Sequence, residues 1–130
     1  MKSINSIDLN ADLGEFQNKK QLENELNILK YISSCSIACG GHIGDEKSIK
    51  QIIEVCKENK ISVGPHPSYP DKEGFGRRTL NIDLPDLEKS IREQIHRFLT
   101  VAKSLSMPVR HVKLHGNLYS EVSGDKKLAG

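Results

Sequence analysis

Tryptophan is absent from the 130-residue sequence, and phenylalanine and tyrosine supply only three residues each. No aromatic platform for stacked bases is available, no basic run is interleaved with aromatics, and the net charge is only +2. Nucleic acid is therefore excluded as a partner. No stretch approaches the ~20 apolar residues of a membrane span, so no spanning helix is expected and a membrane is not an expected partner. Met1-Lys2-Ser3-Ile4-Asn5 meets Asp8 too early for the apolar stretch of a signal peptide. Cysteine is scarce and odd in number, at Cys35, Cys39 and Cys56. None of these forms the C-x-x-C spacing of zinc or redox sites. Reduced thiols and a cytoplasmic location are the economical expectation. Also missing are G-x-x-x-x-G-K-[ST], G-x-G-x-x-G after a strand, and H-E-x-x-H, so no local phosphate loop or helical zinc motif is present.

What is present is strand–helix alternation. Ser6–Asn10 reads as a first strand, and Leu22, Leu26 and Leu29 predict an amphipathic helix over roughly 19–33. Cys35–Cys39 reads as a second strand, stopped by Gly40-Gly41. Asp45 reads as the N-cap of a helix carrying Ile49, Ile52, Ile53 and Cys56 at i, i+3, i+4 and i+7. Ile61–Gly64 reads as a third strand, followed by a long loop from His66 to about Ile82. Leu87, Ile91, Ile95, Phe98, Ala102 and Leu105 mark a third helix ending before Pro108, and Val109–Leu114 reads as a fourth strand. The tail from Ser120 to Gly130 has weak helical character and no core stripe. Absence of hairpin signals argues for an α/β fold of parallel strands joined by right-handed crossovers. Four strands are too few to close a barrel, and a single domain over 1–130 is expected.

Polar residues gather where the strands end. Asp8, Asn10, Asp12 and Glu15 lie at or just past the first, and Gly40, Gly41, His42 and Asp45 follow the second. His66 and Ser68 follow the third, while Lys113, His115 and Asn117 close the fourth. Loops at the carboxyl ends of parallel strands converge on one face, so these residues are expected to share a pocket. His96 within a helix and His111 at a strand start read as structural. Gly40-Gly41 and Gly74-Phe75-Gly76 allow close backbone approach or simply permit positive φ. Arg77-Arg78 could grip a carboxylate bidentately or be a solvated pair. A divalent metal would have to be assembled across loops, and Asp12, His42 and His66 are ligand types suited to it.

Four segments carry a family resemblance: Asp8–Glu15 (D-L-N-A-D-L-G-E), Ile37–Asp45 (I-A-C-G-G-H-I-G-D), Gly64–Asp71 with Gly74–Arg78 (G-P-H-P-S-Y-P-D and G-F-G-R-R), and Val112–Tyr119 (V-K-L-H-G-N-L-Y). In this order they resemble the LamB/YcsF family over almost the whole chain, which corresponds to about the first half of the family's length. The resemblance implies the N-terminal half of a (β/α)7 glycoside hydrolase/deacetylase-like barrel, here incomplete. It also implies the A subunit of an ATP-hydrolysing 5-oxoprolinase, which opens 5-oxo-L-proline to L-glutamate with B and C subunits. ATP as cosubstrate would then be bound by those partners, consistent with the missing phosphate loop. Asp12, His42, His66, Lys113 and His115 are the expected catalytic set, with Asp12 or a strand-end histidine as general base and Lys113 stabilising negative charge. Asn10, Glu15, Gly40, Gly41, Ser68, Arg77, Arg78 and Asn117 are the expected substrate-binding set, with Arg77 or Arg78 on the substrate carboxylate. Ile43, Leu114, Asn117 and Ser120 depart from the family's usual residues, the last three around the fourth strand's end. Two alternatives stay open: a stand-alone metal-dependent hydrolase resembling carbohydrate deacetylases, and a short non-catalytic interaction protein. Uncovered sheet edges further predict a homodimer, or an assembly in which another chain supplies the missing half.

Overall fold

The computed structural model describes residues 7–78 and 80–124, the side chains of the last two excepted. Three strands, β1 (Asn10–Leu13), β2 (Ser34–Ala38) and β3 (Ser62–His66), form a parallel sheet in the order β1-β2-β3. Between and after them run α1 (Lys19–Ile28), α2 (Glu46–Glu58), α3 (Leu84–Ser104) and α4 (Gly116–Gly124). The α/β class with parallel strands is as the alternation requires.

Register decides which face is which. Asn10 aligns with Ser34, and Asp12 with Ser36. Ser34 in turn aligns with Ser62, Ser36 with Gly64, and Ala38 with His66. Paired residues of a sheet point the same way, so one face carries small and polar side chains. On the other face Leu13, Cys35, Ile37 and Val63 are fully buried against α2 and α3. Ile49, Ile52, Ile53 and Cys56 of α2 complete that core at 0% exposure. Each such aliphatic side chain contributes roughly 1.5–3 kcal/mol of transfer free energy. Asp45 caps α2 as expected: its carboxylate accepts from Ser48 N–H at 2.8 Å while Ser48 Oγ accepts from Asp45 N–H at 2.9 Å, a reciprocal capping box. Cys56 is the buried thiol its helical position suggested, with its sulfur 3.5 Å from that of Cys35. Burial pushes the Cys39 thiol up to about 12.

Two expectations need correction. The first strand begins at Asn10, later than Ser6–Asn10. Ile7 and Leu9, which suggested the earlier position, are 79% and 55% exposed, whereas Leu13 is the residue driven into the core; Ser6 lies outside the described residues. The predicted fourth strand, Val109–Leu114, runs beside β3 but makes only an isolated parallel bridge, Val63 with Val109. Proline explains the loss. Lys113 N–H donates to Pro65 O at 3.2 Å and His115 N–H to Pro67 O at 2.9 Å. The return bonds would come from the nitrogens of Pro65 and Pro67, which carry no hydrogen. The ladder is therefore one-way. Only glycine fits at position 64, since a Cβ there would stand 2.1 Å from His111 O.

Smaller differences follow from packing. The first helix ends at Ile28 and tightens into a 3-10 turn, Leu29–Tyr31, that buries Leu29. α4 starts at Gly116 and its Leu118 is 1% exposed, packed with Tyr69 and Leu87 in a second small core. The tail beyond Gly124 lies outside the described residues. No helix among the described residues is long and apolar enough to cross a membrane.

Candidate active site

The carboxyl ends of the strands deliver their polar residues to one place. β1 supplies Asp12, and Glu15 sits just beyond it; the loop after β2 supplies His42; β3 ends on His66; the extended segment after α3 supplies Lys113 and His115. His42, His66 and His115 are all buried, and Asp12 and Glu15 are partly exposed, at 33% and 18% of their side chains.

The imidazoles lock together. His42 and His115 stack with centroids 3.6 Å apart and planes 8° from parallel. His66 meets both edge-on, at 5.6 Å and 4.8 Å. Phe75 closes the cluster, 4.8 Å from His42 and 5.3 Å from His115. His42 Nε2 lies 2.5 Å from Glu15 Oε2, and His66 Nε2 lies 3.0 Å from His115 Nδ1. Asp12 forms the exposed rim: one oxygen accepts from Lys113 Nζ at 2.9 Å and the other lies 3.4 Å from His66 Nε2. His66 and then Lys113 hold the Asp12 carboxyl well below the usual carboxylate range, against the opposing effect of burial. Desolvation, helped by the neighbouring His42, lowers His115 to about 4. Glu15, His42, His66 and His115 present four ligand-type atoms within 4.8 Å of one another, a group that could hold a metal ion. This set shares His42 and His66 with the trio suggested by the sequence, but Glu15 and His115 replace Asp12, whose carboxylate is engaged by Lys113.

Other expected site residues fall into different surroundings. Asn10 stands at the start of β1, at the opposite end from the cluster, donating to Ser34 Oγ and accepting from Ser36 Oγ; its expected position at the strand's carboxyl end is corrected by the later strand start. Gly40 and Gly41 make room for protein: a Cβ would come 2.4 Å from Arg97 Nη1 at Gly40 and 2.4 Å from Ser68 Oγ at Gly41. Ser68 is buried and bonds His42 Nδ1 at 3.0 Å. Arg78 is held bidentately by the buried Asp71, at 3.0 and 2.5 Å. Arg77 lies over the Phe75 ring, 5.2 Å from its centroid. Asn117 N–H donates to Gly76 O at 3.1 Å. His111, read as structural, bonds Cys35 O at 3.0 Å through Nε2.

Three residues escaped the sequence reading. Gln94 of α3 is 3% exposed and clamps Ser68 from both sides, accepting from its N–H at 3.0 Å and donating to its carbonyl at 2.8 Å. The available signal was an amide at core spacing between Ile91 and Phe98. Lys72 and Lys47 were also passed over; with Phe16, Gln17 and Ile43 they border a cleft of about 480 Å³ that opens beside His42.

Fold and site together define a parallel α/β protein with a buried imidazole–carboxylate site at its strand ends. The chain belongs to the LamB/YcsF family, whose profile matches residues 7–130. It is 41% identical over 124 residues to the 5-oxoprolinase A subunit of Chloroflexus aggregans, covering 95% of this chain and 49% of that protein. It is 38% identical over 123 residues to the protein of the same name from Pyrococcus abyssi, covering 95% and 48%. Among solved structures it is similar to a lactam utilization protein from Thermus thermophilus, with a TM-score of 0.82 and 32% identity over 95% of this chain and 50% of that one. The chain thus spans about half the length of the relatives it matches. Their designation as A subunits marks those relatives as members of multi-subunit assemblies.

Proposed function

We propose that the chain provides the lactam-opening site of an ATP-dependent 5-oxoprolinase, working in the cytoplasm with B and C subunits to convert 5-oxo-L-proline to L-glutamate. The observation that carries this reading is the Asp12–Lys113 pair, 2.9 Å apart, set against His66 and His115 at the strand ends. A five-membered lactam resists water because amide resonance and a poor nitrogen leaving group oppose attack. ATP, held by the partner subunits, would phosphorylate the amide oxygen and release ADP. Water then adds to the amide carbon, the ring C–N bond breaks as the nitrogen leaves as the amine, and hydrolysis of the resulting acyl phosphate frees phosphate. Lys113 is suited to the negative charge that develops there, since its side chain is 43% exposed on the cluster's open side. Asp12 or a strand-end histidine takes the proton of the attacking water. Arg77, stacked on Phe75 beside the imidazoles, is better placed for the substrate carboxylate than Arg78, which Asp71 already occupies.

Assembly follows from the sheet edges. Among the described residues β1 pairs only with β2, and the 109–115 segment borders β3 on one side alone. A second copy, or a chain supplying further strands, would cover both edges. The single domain over 1–130 belongs to the same proposal.

The buried His/Glu group favours one rival, a stand-alone metal-dependent hydrolase of deacetylase type. Substrate choice separates the two. The 5-oxoprolinase reading expects glutamate to appear from 5-oxo-L-proline only when ATP and the partner subunits are present. Acetate release from an N-acetylated sugar by the chain alone, without ATP, would replace it with the rival.

A further inference from the structure

We propose that Glu15, His42, His66 and His115 form a divalent transition-metal site, with His42 Nε2, His66 Nε2, His115 Nδ1 and Glu15 Oε2 as the ligand atoms. Hydrogen-bond accounting carries this site, independently of the lactam reading.

Each imidazole has its outer nitrogen committed to an acceptor. His66 Nδ1 faces Lys113 O at 2.7 Å and His115 Nε2 faces Phe75 O at 2.8 Å. A carbonyl oxygen can only accept, so both of these ring nitrogens carry the hydrogen. His42 Nδ1 faces Ser68 Oγ at 3.0 Å, and that hydroxyl spends its one hydrogen on Tyr69 O at 2.9 Å. The serine oxygen must therefore accept, and His42 Nδ1 is the donor. A neutral imidazole has one N–H, so the three inner nitrogens all carry lone pairs.

Those lone pairs crowd one another and a carboxylate, although the stacked rings of His42 and His115, 8° from parallel, must splay for both to face one ion. His66 Nε2 stands 3.0 Å from His115 Nδ1, and His42 Nε2 stands 2.5 Å from Glu15 Oε2. Glu15 Oε2 also lies 3.7 Å from His115 Nδ1. Acceptors facing acceptors at these separations repel unless a cation lies between them. A tetrahedral ion bound at about 2.0–2.1 Å sets its ligand atoms roughly 3.3 Å apart, and the observed separations fall on both sides of that. Outer-nitrogen bonds to backbone carbonyls and a hydroxyl are the support that metal-binding histidines use to fix tautomer and ring orientation. Three imidazoles and a carboxylate suit zinc or a neighbouring first-row divalent ion better than magnesium or calcium, which favour oxygen. The competing occupant is a proton on His42 and another on His66 Nε2, which would then face both His115 Nδ1 and Asp12 Oδ2, 3.4 Å away, the arrangement in which His66 holds the Asp12 carboxyl low.

The chain, produced without a histidine tag, is analysed for metal by plasma mass spectrometry and titrated with Zn²⁺ by calorimetry after chelation. About one equivalent per chain is expected, with four-coordinate Co²⁺ giving intense visible bands on substitution. Ser68→Ala removes the acceptor behind His42 without touching a ligand atom, and should weaken Zn²⁺ binding by about 10–100-fold. Glu15→Gln, at a half-buried position, tests a ligand with little risk to folding and should weaken binding as well. Circular dichroism checks that each variant is folded. Failure of the wild-type chain to bind Zn²⁺, or equal affinity in wild type, Glu15→Gln and Ser68→Ala, would assign the cluster to protons and overturn the metal site.

Discussion

Gln94→Leu tests whether the site is held from behind by α3. The wild-type amide, 3% exposed, accepts from Ser68 N–H, donates to Ser68 O, and donates to Ser90 Oγ at 3.1 Å. Leucine has a similar size but no polar atoms, so the cavity effect is small. The backbone N–H and carbonyl of Ser68 lose these partners at a residue that is itself 0% exposed. An unsatisfied buried backbone group costs roughly 1–3 kcal/mol, so two of them should cost about 3 kcal/mol or more after partial relaxation. Urea unfolding followed by circular dichroism measures this directly, provided the slope is unchanged. A site effect should accompany it, because Ser68 Oγ orients His42. Gln94→Glu keeps the acceptor for Ser68 N–H but sets a carboxylate oxygen against Ser68 O, so it should rescue neither function nor stability fully. A loss under about 0.5 kcal/mol in Gln94→Leu, the range of an ordinary surface change, would refute the clamp.

Other substitutions address separate parts of the molecule. Lys113→Met should lower kcat about 10²-fold or more in the complete enzyme, with KM changed far less, as steady-state kinetics would report. Asp45→Ala removes a capping box and should cost about 1 kcal/mol in thermal or urea unfolding. Gly64→Ala forces a Cβ to 2.1 Å from His111 O and should leave little soluble folded protein, judged by yield and circular dichroism. The Arg78 guanidinium holds the Asp71 carboxyl below its ordinary 3.8. Its contribution is therefore present above that value and lost as pH falls through the lowered one. The stability gap between wild type and Asp71→Asn should be flat at neutral pH and shrink only in the acid region.

How far the sequence could be read depends on what each signal encodes. Periodicity encodes burial, so the α2 stripe from Ile49 to Cys56 was legible in full. Strand polarity plus chain order encodes which loops share an edge, which is why His42, His66, Lys113 and His115 could be grouped before their contacts were known. Strand bounds were less legible, because Ile7 and Leu9 are apolar yet exposed while Asn10 and Asp12 enter the sheet through serine partners. The one-way pairing of 109–115 depended on which side of β3 the two prolines faced, a question of register. Roles within the site were hidden for a similar reason. Neither the Arg78–Asp71 pairing nor the Gln94 clamp on Ser68, 26 residues away, leaves a local pattern.

Whether the strand-end cluster opens a lactam is decided by glutamate formation in the reconstituted assembly. Purified chain, B and C subunits, ATP and 5-oxo-L-proline are combined, and glutamate and ADP are measured together. Both products are expected with the wild-type chain, neither when the chain is omitted, and a large loss of glutamate with Lys113→Met. Glutamate formed at the same rate without the chain, or undiminished in Lys113→Met and His66→Ala alike, would contradict a lactam-opening role.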